Sequence, residues 1–575
     1  MCGIIGYMGE QNANQFVLDG LKELVYRGYD SWGIAYTNSG KIKCLKVVGD
    51  VTDSARLQHS SYCAIGHTRW ATHGTVTRNN AHPHLSNDNH TAVVHNGIIE
   101  NHSEIKEQLE QKGYKFTSET DSEIIPLLFE DLVKTHTPIE AAKILVNRLK
   151  GKYSFLAMHQ NQFFGLNNGC PLLVGKSSCG YFIASDVQAF LKHTKQMAFL
   201  KENEMVVIKK DKVQFINNTS GICFNKDYSH INFSAEATSL NSYPHYMLKE
   251  IEEQPQSLHR MISEISLKET LNMINKCSKI IITGCGTSYH VALHAADMLL
   301  YSTGKPVIPV IASEFSQISP TLNDKTLFIA ISQSGETADT LEALSFAKKK
   351  CCQTMSVINS EHSSMSRFAG NHLYMRAGPE KAVAATKTYT NSLAIFMLLE
   401  QAIQNKNLLH SEDIRDIIRK TIIKSKPKMQ KLANELKDKR HLFILGRGND
   451  YYTALEGALK MKEISYIHAE GFAGGELKHG TMALIEKGTP VIVLTNYASF
   501  EKTVGNAQEV KARGAKIIGV SPRTHEAFDR NIHTPHIYDR LTKSVLLQLL
   551  AYYVSVAKNL NPDKPRNLAK SVTVT

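Results

Sequence analysis

Lys279-Ile280-Ile281-Ile282-Thr283-Gly284-Cys285-Gly286 is a continuous apolar run that ends in a glycine-punctuated turn and leads straight into an amphipathic stretch starting near Ser288. A run without alternation is expected of a strand covered on both faces, and the following helix makes it the opening of a parallel α/β unit. His441-Leu442-Phe443-Ile444-Leu445-Gly446-Arg447-Gly448 repeats the pattern. Downstream, the strand Leu327 to Ile331 meets Ser332-Gln333-Ser334-Gly335, and Val491 to Leu494 meets Thr495-Asn496. Ser332 lies 48 residues after Gly284, and Thr495 lies 49 after Gly446. Matching order and spacing predict a duplicated α/β domain.

Outward from this repeat the texture changes. The first 215 residues read as β-rich, with short apolar runs at Thr91 to Val94, Tyr153 to Met158, Tyr181 to Ala184 and Met205 to Ile208 bounded by Gly, Asn and Asp. Two or three helices are expected, among them Glu104 to Gln111 opened by Asn101-x-x-Glu104 and Glu123 to Val133 opened by Thr120-x-x-Glu123, both in capping-box form. Residues 216–242, polar and rich in Asn and Ser, read as a linker.

The chain of 575 residues corresponds to about four domain-equivalents. Its 42% apolar and 21% charged residues exclude disordered and fibrous classes. The net charge of +12 is spread along the chain in short runs without interleaved aromatics (Lys348 to Lys350, Lys424 to Lys431), which suits an anionic substrate at least as well as nucleic acid. The apolar stretch Val545 to Val556 is interrupted by Gln548 and is too short for a bilayer span, and the start has no secretory pattern. Ten cysteines without a CxxC pair predict neither a disulfide framework nor a metal site, and a cytoplasmic setting is expected.

Chemistry-bearing residues cluster in both halves. If Met1 is removed, Cys2 carries a free α-amine, which titrates near 7.7–8.0 and can accept the thiol proton. Taken alone, Asp121 reads as an acid at a helix start, Arg69 as one side of an ion pair, and Asn96-Gly97 as a turn. In the second half, Gly284 to Ser288 and Ser332 to Thr337 suit phosphate, because helix N-termini present free N–H groups. Tyr289 stands where a dinucleotide loop needs its third glycine, and no Gly-Lys-Ser/Thr follows for a Walker loop. Glu456, Lys460 and Glu463 fall on one helix face, which by itself reads as an ion-pair face.

Cys2 to Gly6, Tyr26 to Ser31, Gly66 to Gly74, Asn80 to His84, His95 to Asn101 and Ser118 to Glu123 together resemble the class II (N-terminal nucleophile) glutamine amidotransferases. Gly284 to Tyr289, Ile331 to Thr340, Val383 to Lys387, Leu455 to Glu470, Gly475 to Gly480 and Pro565 to Val574 resemble tandem sugar isomerase (SIS) domains. The combination resembles the isomerising glutamine:fructose-6-phosphate aminotransferases. The resemblance implies an α/β multidomain chain, with an N-terminal αββα glutaminase sandwich (2–215) and the linker. Two doubly wound parallel SIS domains (270–408 and 432–565) and an active-site tail (566–575) complete it.

It implies glutamine-dependent conversion of fructose 6-phosphate to glucosamine 6-phosphate with release of glutamate. Cys2 would be the nucleophile, with Asn96 and Gly97 forming the oxyanion hole. Arg69, Thr72, His73 and Asp121 would bind glutamine, and Trp70 would gate an ammonia path. Thr287, Ser288, Ser332, Gln333, Ser334 and Thr337 would hold the sugar phosphate. Lys570 would form an imine, Glu463 shuttle a proton, His479 assist ring opening, and Lys460 join them in catalysis. It implies no cofactor and no metal, glutamine and fructose 6-phosphate as the small-molecule partners, neither nucleic acid nor membrane, and a homodimer.

Ala384-Ala385-Thr386 and Thr481 depart from the family pattern, which leaves open a paralogue acting on another ketose phosphate. A sugar-phosphate sensor is disfavoured by the intact Cys2, Asn96-Gly97, Glu463 and Lys570 set and by the lack of a helix-turn-helix segment. Phosphoribosyl amidotransfer lacks its acidic fingerprint here.

Overall fold

The computed structural model describes residues 2–38, 40–52, 57, 59–71, 73–210, 212–231, 239–361, 363–406 and 409–572. The chain divides into two compact units, residues 1–237 together with 569–575, and residues 238–568.

The first unit holds two antiparallel sheets. One has eight strands in the order Ser229–His230, Gln196–Phe199, Leu173–Ser177, Gly180–Ala184, Gly3–Gly9, Cys63–Arg69, Ser31–Asn38, Lys41–Val48. The other has seven, in the order Cys223–Phe224, Lys212–Asn217, Glu204–Lys209, Gln162–Asn168, Tyr153–His159, Thr91–Gly97, His84–Leu85. Strand alternation sorts the side chains between layers. Ile4 and Met8 enter the core between the sheets with Ile65, Val94 and Leu156. Ile5 and Tyr7 point the other way, onto Val17 and Leu21 of the helix Ala13–Leu24. The far face of the second sheet is covered by the helices His102–Gln111, Ile124–Val133 and Pro138–Arg148. Both sheets are thus buried on both faces, giving the layers of an αββα sandwich.

Three local expectations are corrected. Asn101 makes no capping bond; its side chain donates to the Arg148 carbonyl and accepts from Lys150 N–H, tying the helix start to a neighbouring turn. Thr120 does not cap either, because Glu123 instead accepts from the N–H groups of Thr117 and Ser118. A reciprocal capping box exists at Thr137 and Glu140, where Pro138 supplies the fixed φ of the first turn. The stretch expected as a linker carries Cys223–Phe224 and Ser229–His230, which extend the two sheets at their edges.

In the second unit the duplication is explicit. Five parallel strands run Val307–Ile311, Lys279–Gly284, Thr326–Ser332, Gln353–Ile358, Asn371–Tyr374, and five more run His468–Ala473, His441–Gly446, Pro490–Leu494, Lys516–Ser521, Arg530–His533. The first-born strand is second from the edge in both. The turns match as closely: Gly286 (φ +54, ψ −124) precedes the helix Thr287–Thr303, and Gly448 (φ +56, ψ −128) precedes Asn449–Ser465. A positive φ there favours glycine. One core of helix and strand residues, including Met247, Leu299, Leu393, Ile444, Met461 and Leu550, joins the two sheets.

The copies differ at one decisive place. Asp450 occupies the position of Ser288, and its carboxylate is 2.5 Å from Lys543 Nζ and accepts from Asn496 Nδ2 at 2.8 Å. Both members of the ion pair are essentially inaccessible (1% and 0%). The second turn therefore carries its own buried anion and is closed to an external phosphate.

Candidate functional site

The sheet order and the alternation of each strand place the N-terminal candidates together. Cys2 precedes Gly3–Gly9 in the phase of Ile4, His67 and Arg69 follow Ile65, and Asn96 follows Val94. The dry inter-sheet core thus gives way at one end to polar side chains.

Trp70 N–H donates to Cys2 Sγ at 3.1 Å, with the Trp70 carbonyl 3.4 Å from the same sulfur. Burial pushes the thiol above its ordinary value, opposed by the Trp70 N–H and the Arg69 charge. Asn96 Nδ2 donates to the Cys2 carbonyl at 3.1 Å, so the amide reaches the nucleophile's own residue. Gly97 adopts φ +115, and a Cβ there would lie 2.2 Å from the Lys152 carbonyl oxygen, so only glycine fits.

Arg69 is buried, and its guanidinium donates to the carbonyls of His73 (2.5 Å), Gly74 (3.2 Å) and Thr75 (3.1 Å). These bonds take three of its five N–H donors and fix the 73–75 loop. Glu119 braces the same loop, accepting from Thr75 N–H at 3.1 Å and Asn80 Nδ2 at 2.8 Å. Asp121 is buried, accepting from Ile99 N–H at 2.8 Å and from the Ser122 hydroxyl at 3.3 Å. The Trp70 indole meets Tyr29 edge-on at 5.7 Å. Thr72 lies outside the described residues.

A group of buried histidines borders this site and was not singled out from the residues. His67 and His82 stack at 4.1 Å, with His84 and His95 beside His82. Desolvation holds all four below the ordinary imidazole value, His67 down to about 3. They are neutral in the native state, whereas the unfolded chain takes up protons below about pH 6.5. Their stabilisation is therefore full above that pH and is lost on acidification, at up to about 1.4 kcal/mol per pH unit for each histidine. Trp32 and Trp70, the chain's two tryptophans, both lie in the N-terminal unit. Urea unfolding followed by their fluorescence will show a clearly lower midpoint at pH 5.5 than at pH 7.5; equal midpoints would contradict this.

In the second unit, Ser332, Gln333, Ser334 and Thr337 line one turn. Ser332 Oγ accepts from Gly335 N–H at 3.0 Å and sits 3.1 Å from Thr337 Oγ1, and Ser334 Oγ accepts from Glu336 N–H at 3.1 Å. Ser288 lies in the first turn of the helix following the neighbouring strand, half-buried. Thr287 bridges from that turn to the second copy. Its hydroxyl donates to Glu456 Oε1 at 3.1 Å and accepts from Lys460 Nζ at 3.0 Å. Lys460, 1% accessible, is 2.6 Å from Glu463 and 3.4 Å from Glu456, while His290 Nδ1 is 2.7 Å from Glu456 Oε2. Burial works against the Lys460 charge, but the two carboxylates outweigh it and hold the ammonium above its ordinary range. The face that could have been a solvated ion-pair row is a buried network. His479 is exposed in the short turn Gly474–His479, and Lys570 is counted with the first unit. Among the described residues no group of three His, Cys, Asp or Glu side chains could hold a metal, and no helix is long and apolar enough to cross a membrane.

Comparison with known proteins agrees with this division. A glutamine amidotransferase domain model matches residues 67–192, and an SIS domain model matches twice, at 273–401 and 435–558. The chain is 43% identical to a glutamine--fructose-6-phosphate aminotransferase (isomerizing) of Clostridium acetobutylicum and 41% identical to one of Pyrococcus horikoshii, each match covering 100% of both chains. The C-terminal domain of glucosamine-fructose-6-phosphate aminotransferase from Francisella tularensis superposes with a TM-score of 0.52 at 36% identity, covering 57% of this chain and 100% of that one. The chain belongs to the isomerising glutamine--fructose-6-phosphate aminotransferase family.

Proposed function

We propose that this chain transfers the amide nitrogen of glutamine to fructose 6-phosphate and isomerises the product to glucosamine 6-phosphate. The contact of Asn96 with the residue of the partly buried Cys2 thiol, in a full-length member of this family, carries the proposal. Removal of Met1 frees the Cys2 amine, which takes the thiol proton as sulfur attacks the glutamine carboxamide. Asn96 Nδ2 and Gly97 N–H stabilise the oxyanion, ammonia leaves, and water releases glutamate from the thioester. Asp121 faces the glutamine ammonium, while Arg69, Thr72 and His73 shape its carboxylate end. Arg69 acts largely through the loop its guanidinium pins. Trp70 closes the ammonia path.

In the second unit Ser288, Ser332, Ser334 and Thr337 hold the phosphate, with Gln333 beside the sugar. His479 assists ring opening, and Lys570, on the 566–575 tail, condenses with the C2 carbonyl; ammonia then displaces it. Glu463 moves the proton between C1 and C2, steadied by the Lys460 ammonium. We assign Thr287 to bracing Glu456 and Lys460, because that network engages its hydroxyl. The protein works as a cytoplasmic homodimer without cofactor or metal.

Glutamate and amino-sugar formation measured across a panel of ketose phosphates tests the proposal. Fructose 6-phosphate is expected to be the preferred acceptor. A clear preference for another sugar would favour the second reading raised by Ala385 and Thr481. Intact-protein mass spectrometry of active material is expected to show loss of Met1; full activity with Met1 retained would exclude the α-amine as base.

A further inference from the structure

The oxyanion-hole amide is useful only if its nitrogen, and not its oxygen, faces the reacting carbonyl. An asparagine side chain is nearly symmetric in shape, so its hydrogen-bond partners decide which end faces where. Asn96 Nδ2 points at Cys2 and Oδ1 points into the sandwich, where it lies 3.2 Å from His67 Nε2. The same nitrogen is 2.9 Å from the His95 carbonyl. Both neighbours of Nε2 are oxygen acceptors, so Nε2 must carry the proton and share it between them. Nδ1 of the ring is buried without a hydrogen-bond partner, as suits a bare lone pair in a neutral imidazole. His67 is fully buried and cannot be reoriented by water.

The ring itself is held. His82 stacks on it at 4.1 Å with planes 13° apart, and His82 Nδ1 accepts from His95 N–H at 3.2 Å, which anchors the stacking partner to the strand carrying Asn96. The charged and titratable groups around His67 are His82, His84 and His95, with Arg69 two residues along its own strand.

We propose that His67 is a positioning residue for glutamine hydrolysis, its Nε2–H locking the Asn96 amide with the nitrogen turned toward the oxyanion. This rests on the reading of Asn96 as an oxyanion donor. A flipped amide would put an oxygen lone pair against the developing negative charge, converting a stabilising contact into a repulsive one. Loss of the lock should therefore lower kcat and leave glutamine binding nearly unchanged.

The test compares His67→Phe with His67→Gln in the full-length protein. The phenylalanine keeps a ring for the stack but has no donor; the glutamine amide can present an N–H near the place of Nε2. Glutamate release is expected to fall about 100-fold in kcat for His67→Phe, the scale of losing one oxyanion donor, with KM within about threefold. His67→Gln should recover most of the rate. Alkylation of Cys2 by iodoacetamide, a displacement that forms no oxyanion, should proceed at the wild-type rate in both. A His67→Phe enzyme within threefold of wild type, or a glutamine variant no better than it, would overturn the proposal.

The imidazole tautomer in the wild type tests the same claim without any folded variant. Nitrogen-15 shifts of His67 should report neutral Nε2–H from pH 5.5 to 8, and an Nδ1–H form or an imidazolium would refute the lock. Absence of glutamate release by the wild type would sink the parent reading, while the tautomer still decides this one.

Discussion

Replacing Cys2 by alanine abolishes glutamine-dependent amino-sugar formation, by at least about 10⁴-fold, while ammonium salts still drive the reaction. Loss of a covalent nucleophile removes the whole acyl-transfer route, because Asn96 and Gly97 act only on a bond that sulfur has attacked. The β-carbon of residue 2 remains as a methyl, and its carbonyl still receives the Asn96 amide, so the local fold should persist. The acceptor chemistry does not use the Cys2 thiol and needs only ammonia. Steady-state assays with glutamine and with ammonium chloride separate the two. Loss of both activities in a normally folded Cys2→Ala protein would mean that the halves are not chemically independent.

The second large effect is expected at Lys460. It is sealed from solvent between Glu456 and Glu463, and Thr287 accepts a further hydrogen bond from it. Removing one partner from such a group leaves Glu456 and Glu463 without the ammonium between them, a loss on the order of 3–5 kcal/mol. Lys460→Met should therefore lower the calorimetric transition of the second unit. It should also cut amino-sugar formation more than 100-fold, because Glu463 loses the charge that fixes it. Glutamate release, and the tryptophan-reported unfolding of the first unit, should change little. An unaltered transition together with unaltered turnover would show that the network is neither structural nor catalytic.

How much of this was legible beforehand depended on periodicity and on spacing. The duplicated strand–glycine–helix pattern was read correctly, since offsets of 48 and 49 residues from Gly284 and Gly446 correspond to equivalent strands in two sheets of the same order. Cys2, Asn96 and Asp121 are proposed as site residues from their place in an ordered set of motifs. Alternation alone would have found more: Ile65, His67 and Arg69 share one phase, as do Val94 and Asn96 and also Cys2 and Ile4. A polar residue continuing an apolar alternation at the end of a strand is a sign that a site opens there.

What could not be read was long-range competition for polar groups. Thr120-x-x-Glu123 has the form of a cap, yet Glu123 is taken by the N–H groups of Thr117 and Ser118. Thr287 looked like one more hydroxyl in a phosphate turn, but Lys460, in a helix of the other repeat, claims it. Asp450 standing where Ser288 stands in the first copy was visible as a difference, but its meaning required Lys543, 93 residues away. The polar stretch 216–242 reads as a linker because short edge strands such as Cys223–Phe224 carry too few residues to show a period.

The coupling of glutamine hydrolysis to sugar amination is the central claim, and isotope tracing tests it most directly. The enzyme is supplied with amide-¹⁵N glutamine and fructose 6-phosphate in a buffer containing unlabelled ammonium at a concentration that by itself supports little amination by Cys2→Ala, and the product is weighed by mass spectrometry. Glucosamine 6-phosphate carrying nearly full ¹⁵N would show that nitrogen passes from the Cys2 reaction to the sugar without mixing with solvent. Product diluted to the isotopic composition of the bulk ammonium, or no amino sugar at all, would contradict the account.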